Sequence, residues 1–194
     1  MKKIIILVLS LYIIVVAAVF LYSKSEAIEE SKPKLNYKID SKSSNLIMAE
    51  KDKLPKSMKE KVKLPNKFPF EVSSVKAEIG QMGTSYTTFD IFYNGKNKEL
   101  IMLRILPKKV ESDYSNEWGV KPKNITLQNG SKGTFSKNPN ALIFDWVDKD
   151  TGIQYMLSIR RENNKEVLGK NLTKEDDTKN IKIIKAFVDS FSIK

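Results

Sequence analysis

The sequence of 194 residues contains neither cysteine nor histidine. Without cysteine the protein has no disulfide framework, no lipid-modified cysteine, no thiol nucleophile and no cysteine-ligated zinc. Without histidine it lacks the most common general base, the most common transition-metal ligand and any Ser-His-Asp triad. We therefore predict a non-enzymatic protein that has no catalytic residues, no cofactor and no metal site.

Acidic residues are in the minority, because 34 Lys and Arg residues outnumber 23 Asp and Glu residues and give a formal net charge of +11. A positive field of this kind attracts anionic lipid or cell-wall polymer at long range. No arginine-rich stripe with interleaved aromatic residues accompanies it, so we predict no nucleic-acid binding. Lysines solvated at the protein surface are the simpler interpretation of the excess.

One long apolar run is present at residues 4–22, and it contains no charged residue, no glycine and no proline. A helix of about 20 apolar residues spans a hydrocarbon core of roughly 30 Å. The competing interpretation is a cleaved secretory signal with Ala17 and Ala18 at the cleavage site. Because the apolar run continues past these alanines to Tyr22, we predict an uncleaved membrane anchor.

The charges before this run predict its orientation. Lys2 and Lys3 precede it, and the positive-inside rule places them in the cytoplasm. We therefore predict a cytoplasmic stub at residues 1–3, a single transmembrane helix at residues 4–22 in the cytoplasmic membrane, and an extracytoplasmic remainder from Ser23 onward.

Residues 23–63 contain 11 lysines and 7 acidic residues, and their apolar residues show little periodicity. Such a composition buries too little apolar surface to offset the entropy of ordering. We predict a flexible or partly helical stalk here. Binding of its lysines to anionic lipid headgroups is an alternative, which the acidic Glu26, Glu29 and Glu30 next to the anchor disfavour.

A folded domain is predicted over residues 64–194, beginning with runs of β-branched and aromatic residues. The alternation of the first run slips at Ser73–Ser74, which predicts a β-bulge. Asn94–Gly95 predicts a type I′ turn between strands at 85–93 and 99–106.

A second group of strands follows from Ile125, with turns predicted at Asn129–Gly130 and Lys132–Gly133. Its strongest hairpin joins residues 141–147 to 153–159 through a four-residue loop. The predicted pairs of this hairpin are Trp146 with Ile153, Phe144 with Tyr155 and Leu142 with Leu157. They form one continuous apolar face. The opposite face is mixed and predicted to be semi-exposed; it carries Ala141, Ile143, Asp145, Gln154, Met156 and Ser158.

Near the C-terminus, the spacing of the apolar residues changes from that of a strand to that of a helix. An apolar stripe is formed by Ile181, Ile184, Phe187, Val188 and Phe191. Asp177 or Thr178 is the predicted N-cap. We predict an α+β fold, in which an antiparallel sheet of five to seven strands carries this helix on one face.

An ordered set of motifs extends over residues 64–194: LPNKFPFEVSSVKAEI, NGSKGTF, LIFDW, IQYMLSI and a terminal VDSF. It resembles the extracytoplasmic domain of unknown function found in Bacillus-type anti-sigma factors and sporulation-related lipoproteins. That domain is distantly similar to the sheets of the lipoprotein carrier and the sigma-E regulator. The resemblance implies no catalytic residues. Because only residues 1–3 precede the anchor, we expect no direct sigma-factor binding. The chain also departs from the lipoproteins of this family, because it has no lipobox cysteine.

A superficial calcium-loop pattern is formed by Asp145, Asp148, Asp150 and Gly152. The bidentate acid that an EF-hand needs at its twelfth position is absent, however. A hairpin turn explains the same residues, because Asp favours turns and Gly tolerates positive φ.

The leading hypothesis is a non-enzymatic, membrane-tethered binding or sensing module of the cell envelope, whose partner is an envelope protein or a lipid. Its candidate binding residues are aromatic: Tyr114, Trp118, Trp146 and Tyr155. For Trp146 and Tyr155, burial under the C-terminal helix is the simpler interpretation. The alternatives are a lipid or lipoprotein carrier with an apolar cavity above roughly 300 Å³ and, more remotely, a carboxylate-based hydrolase. No oligomeric state is predicted.

Overall fold

Nine strands and three helices make up the part of the chain that the computed structural model describes, namely residues 35–83, 86–96, 99–110, 122–138, 141–161 and 174–193. The helices are α1 (Ser41–Lys51), α2 (Lys56–Lys59) and α3 (Lys174–Asp189). The strands are β1 (Lys63–Pro65), β2 (Val72–Met82), β3 (Tyr86–Gly95), β4 (Glu99–Leu106), β5 (Lys123–Thr126), β6 (Lys132–Asn138), β7 (Ala141–Val147), β8 (Gln154–Arg161) and β9 (Phe191–Ile193).

Seven strands form one antiparallel sheet in the order β2-β3-β4-β8-β7-β6-β5. It consists of two meanders, β2 to β4 and β5 to β8, which are joined because β4 pairs with β8. The remaining strands, β1 and β9, pair with each other in a separate two-stranded sheet. The predicted antiparallel sheet with a C-terminal helix is confirmed.

One face of the large sheet, called the inner face below, carries the hydrophobic core. Successive residues of a strand point to opposite faces, and every second residue of these strands is apolar. The apolar side chains therefore collect on this one face. Burial of each large apolar side chain contributes about 1.5 to 3 kcal/mol. The buried residues of this face are Phe89, Ile91, Tyr93, Ile101, Leu103, Ile105, Phe135, Phe144, Trp146, Tyr155 and Leu157.

Two segments from distant parts of the chain cover the inner face. Ile47 of α1 and Met58 of α2 enter the core from one segment, and Phe187 of α3 enters it from the other. Phe68 joins them, since its ring centroid lies 4.7 Å from that of Tyr93 and 5.7 Å from that of Phe187. The second layer of the fold therefore combines residues before β2 with residues after β8.

The folded unit begins earlier than predicted. Residues 35–63 belong to the compact unit that starts at Leu35, although the sequence predicts a stalk over 23–63. Met58 and Val62 are almost completely buried in the same core as the large sheet. The stalk prediction is wrong for this stretch, because its apolar residues are covered by partners far away in sequence.

Residues 1–34 lie outside the described residues. The predicted stub at 1–3, the anchor at 4–22 and the first part of the stalk fall there. Within the described ranges, no helix is long and apolar enough to cross a membrane.

The C-terminal helix packs as predicted but has different ends. Ile184 and Phe187 are fully buried. α3 already begins at Lys174, so Asp177 and Thr178 lie inside it and neither is its N-cap. The helix ends at Asp189, and Phe191 belongs to β9, where it pairs with Pro65.

The predicted turns of the first meander are partly correct. The register of β2 against β3 shifts between Val72 and Ser74, which confirms the predicted bulge. Asn94–Gly95 does not form the predicted type I′ turn, because both residues belong to β3 and Asn94 pairs with Leu100.

In the second meander, Gly130 has the positive φ of a turn, at 80°. Lys132–Gly133, predicted as a further turn, lies within β6. The β7–β8 register differs from the prediction by two residues, so that Trp146 pairs with Tyr155 and Phe144 with Leu157. The faces are unchanged, because a shift of two residues preserves the alternation.

The opposite face, called the outer face, is less exposed than predicted. Gln154, Met156 and Ser158 of β8 are buried. The Gln154 amide donates to the Asp145 carboxylate at 2.8 and 3.0 Å. It also donates to the Val110 carbonyl at 3.2 Å and accepts the Val110 N–H at 2.6 Å. The prediction of a semi-exposed face is therefore wrong at β8, where the backbone of Val110 is hydrogen-bonded to the Gln154 side chain.

Tyr93 and Tyr155 provide a matched test of this core. Among the described residues, the buried Tyr93 hydroxyl has no hydrogen-bond partner, whereas the Tyr155 hydroxyl accepts the Lys63 N–H at 2.8 Å. We expect Tyr93→Phe to leave the free energy of unfolding unchanged or to raise it by about 1 kcal/mol, and Tyr155→Phe to lower it by about 1 to 2 kcal/mol. Urea unfolding of both variants measures the difference. Equal losses would contradict the assignment.

Candidate functional site

A cleft of about 420 Å³ opens where the two-stranded sheet meets the β7–β8 turn and the end of α3. Five of its lining residues are apolar or aromatic and six are polar or charged. They are Leu127, Trp146, Tyr155, Val188 and Phe191, together with Lys63, Gln128, Asn129, Asp148, Asp150 and Asp189.

Stacked aromatic rings form the floor of the cleft. The Trp146 and Tyr155 ring centroids lie 4.9 Å apart with an interplanar angle of 13°. Phe144 continues the stack at 5.1 Å from Trp146. Phe191 of β9 meets both Trp146 and Tyr155 edge-on at 5.6 Å. Offset stacking and edge contacts are the favoured geometries of aromatic pairs, so these contacts stabilise the floor.

Gly133 of β6 makes room for this stack. It lies directly opposite Trp146 in the β6–β7 ladder. A Cβ atom at Gly133 would lie 2.5 Å from the Phe144 ring, 2.7 Å from the Trp146 Cβ and 2.8 Å from the Asp145 carbonyl oxygen. Glycine is therefore required here by the close approach of β7.

Asp148 organises the wall of the cleft. Its Oδ1 accepts the N–H of Asp150 at 3.1 Å, and the N–H and hydroxyl of Thr151 at 3.0 Å each. Its Oδ2 accepts the Lys63 ammonium at 2.9 Å and the Asn129 amide at 3.4 Å. This buried carboxylate thus fixes the β7–β8 turn and attaches both Lys63 and the β5–β6 loop to it.

Lys63 connects β1 to the large sheet. Its ammonium lies 2.9 Å from Asp148 and 3.5 Å from Asp150. Its N–H donates to the Tyr155 hydroxyl at 2.8 Å, and its backbone pairs with Ile193 of β9. One residue therefore holds together β1, β8, β9 and the β7–β8 turn.

The charges of this pair stabilise each other. Burial alone lowers the pKa of Lys63, but the hydrogen bonds and charges of Asp148 and Asp150 outweigh burial and raise it. Burial alone raises the pKa of Asp148, but hydrogen bonds from Lys63 and Thr151 lower it below the ordinary 3.8. Both groups remain ionised at neutral pH.

Asp189 and Asp150 supply further negative charge at the rim. Burial raises the pKa of Asp189, although the Gln128 N–H and Lys185 act in the opposite direction. Asp150 shares Lys63 at the longer distance, and 56% of its side chain is exposed. Since Lys63 is already neutralised by Asp148, the open part of the cleft is acidic in a chain whose net charge is +11.

The Lys63 ammonium also bears on the calcium-loop pattern. It occupies the space between the Asp148 and Asp150 carboxylates that a cation would need. In the described ranges, no group of three or more His, Cys, Asp or Glu residues is placed to hold a metal ion. The arrangement is that of an ion pair in a turn.

Two of the four candidate binding residues meet in this cleft. Trp146 and Tyr155 lie face to face on its floor, but their exposed fractions are only 3% and 1%, so they are also part of the core. Tyr114 and Trp118 lie outside the described residues. Sequence reasoning missed Lys63, which it placed in the stalk, and Asp189, which it did not connect to the hairpin.

No protein-family model matches this chain, and no curated protein and no solved structure matches it. The resemblance to the anti-sigma and sporulation domains stays a prediction.

Replacing Gly133 tests the close approach of β7. We expect Gly133→Ala to lower the free energy of unfolding by about 3 kcal/mol, because the added methyl group displaces Trp146 and Phe144. The control is Gly83→Ala, where φ is 62° and nothing lies within 4 Å, so only the left-handed backbone costs about 1 kcal/mol. Urea unfolding and near-ultraviolet circular dichroism measure both effects. Equal losses in the two variants would contradict the role of Gly133.

The Lys63–Asp148 pair predicts a pH dependence. A lowered folded-state pKa stabilises the fold above the unfolded value, and this stabilisation is lost as pH falls through the folded value. We expect Asp148→Asn to cost about 2 to 3 kcal/mol at pH 7, and much less below the ordinary pKa of 3.8. Unfolding free energies at several pH values measure the difference.

Asp150→Asn is the matched control in the same turn. Its half-exposed carboxylate makes only the longer contact with Lys63, so we expect a loss below about 1 kcal/mol. A pH-independent loss in Asp148→Asn would contradict the assigned role of the charge.

Proposed function

We propose that this chain is a non-enzymatic binding or sensing module of the cell envelope, tethered to the membrane through residues 4–22, and that its ligand site is the cleft around Lys63 and Asp148. The observation that carries the proposal is the combination of concavity, aromatic floor and convergent polar groups in one place. Ligand sites are typically concave, 300 to 1,000 Å³ in volume, and lined by apolar groups with a few polar ones. At about 420 Å³ the cleft lies within this range of volumes, and its aromatic floor supplies the apolar part of a lining in which polar groups are the majority.

The distribution of charge favours a ligand with a cationic group. Lys63 is neutralised by Asp148, which leaves Asp150 and Asp189 at the rim. The exposed side-chain amide of Gln128 adds hydrogen-bonding capacity next to them. A small amine, or a lysine side chain of an envelope protein, places its ammonium among these carboxylates and its methylene groups towards Trp146.

The polar rim favours a ligand with a cationic group over the acyl chain that a lipid or lipoprotein carrier would bind. The volume of the cleft exceeds the roughly 300 Å³ that a carrier requires. Six of its eleven lining residues are polar or charged, however, and an acyl chain gains nothing from them. A carrier would respond equally to a charged and an uncharged probe of the same size.

The carboxylate-based hydrolase is the more remote alternative. It requires two acids with raised pKa values that converge in one cleft. Burial raises the pKa of Asp189, but Lys63 and Thr151 lower that of Asp148. Asp148 also accepts five hydrogen bonds, so it is poorly suited to proton transfer.

The experiment uses the full chain with the substitution Trp118→Phe. The sequence has two tryptophans, so Trp146 then gives the single indole N–H signal of a proton–nitrogen correlation spectrum. The probes are n-butylammonium and n-butanol, which differ in charge but are similar in size. We expect the indole signal to move with n-butylammonium and to move several-fold less with n-butanol.

The control variants separate the ligand classes. Asp189→Asn removes a rim charge and should weaken the response to n-butylammonium, whereas Asp52→Asn, at an exposed position directly after α1 and outside the cleft, should not. Equal responses to both probes would favour an apolar ligand and the carrier. No response to either probe would overturn the cleft as a ligand site.

A further inference from the structure

β2 is a long strand at the edge of the large sheet. It runs for 11 residues and pairs only with β3. The backbone N–H and C=O groups on its other side point away from the sheet, and no described residue pairs with them. Such an edge is a template for another strand.

The edge lacks most of the devices that prevent strand pairing. Proline is absent from β2, and its one bulge lies at the start, between Val72 and Ser74. From Ser74 to Met82 the ladder with β3 is regular. A lone lysine protects many edges, but here Lys76 is followed two residues later by Glu78 on the same outer face.

We propose that β2 pairs with β2 of a second copy of this chain, antiparallel about a two-fold axis at Ala77. This register places Lys76 opposite Glu78 of the second copy, and Glu78 opposite its Lys76. Opposite charges that face each other directly across two strands stabilise the pairing, and a two-fold axis makes each contact occur twice.

The charges select this register over its neighbours. An axis at Lys76 would place two lysines opposite each other, and an axis at Glu78 would do the same with two glutamates. Like charges directly opposite each other are destabilising. Within one chain, Lys76 and Glu78 already lie 2.5 Å apart, and both side chains are substantially exposed.

Apolar residues of the inner face support the same pairing. With the axis at Ala77, Val75 lies opposite Ile79 of the second copy. Ile79 is 36% exposed, and Leu46 of α1 is 42% exposed. These are two of the three exposed large apolar residues in the described part of the chain, and α1 lies against β2. Pairing would extend one inner face into the other.

Ala77→Cys tests the axis directly, because the chain has no other cysteine. Cα atoms directly opposite each other in an antiparallel pair are about 4.5 to 5.5 Å apart, within the range of a disulfide. We expect the full chain carrying this substitution to form a covalent dimer under mild oxidation in lipid vesicles. Non-reducing electrophoresis measures the fraction.

Gln81→Cys is the matched control on the same strand. Its two copies would be about 27 Å apart in this register, too far for a disulfide. Val75→Cys and Ile79→Cys add a test of register, because neither should crosslink alone but a mixture of the two should. Equal crosslinking of Ala77→Cys and Gln81→Cys, or none in either, would overturn the proposal.

Charge reversal tests what selects the register. Lys76→Glu or Glu78→Lys, added to Ala77→Cys, should lower the crosslinked fraction several-fold, and the double reversal should restore it. Thermal unfolding of the reduced proteins shows whether each variant is folded. A folded single reversal that crosslinks as well as its parent would contradict the proposed contacts.

Discussion

The ion pair between Lys63 and Asp148 is the contact on which the arrangement of the two sheets depends. Asp148 is almost inaccessible to solvent and its carboxylate accepts hydrogen bonds from four residues. Removing one partner of such a pair leaves a buried charge without compensation, which is far more costly than the pair is stabilising. The contact therefore specifies where β1 lies against the β7–β8 turn, and β1 in turn pairs with β9, which follows α3.

Elements defined by local patterns could be predicted from the sequence. In β4, β7 and β8 every second residue is a large apolar or aromatic one, and α3 carries an apolar stripe, so neighbouring residues contain the information. Residues 35–63 lack such a pattern. The burial of Ile47 and Met58 depends on a core assembled from the rest of the chain. Burial of this kind follows from tertiary contacts and leaves no periodic signal.

The candidate site also combines residues that could be predicted from local sequence patterns with residues that could not. Trp146 and Tyr155 could be found because they lie on one apolar face of a local hairpin, even though the predicted register differed by two residues. Lys63 and Phe191 could not be assigned to the site, because they reach it through the pairing of β1 with β9. A cleft built from segments more than a hundred residues apart has no signature in sequence spacing.

The pairing of β1 with β9 also determines when the protein can finish folding during its synthesis. The large sheet needs residues only up to β8, so its two meanders can form while the chain is still being elongated. Phe191, by contrast, closes the aromatic floor of the cleft and pairs with Pro65. Until residues 191–193 have left the ribosome, the inner face lacks part of its cover and exposes its aromatic rings. A chain that ends before that point has the strands of the large sheet but lacks the residue that closes the cleft.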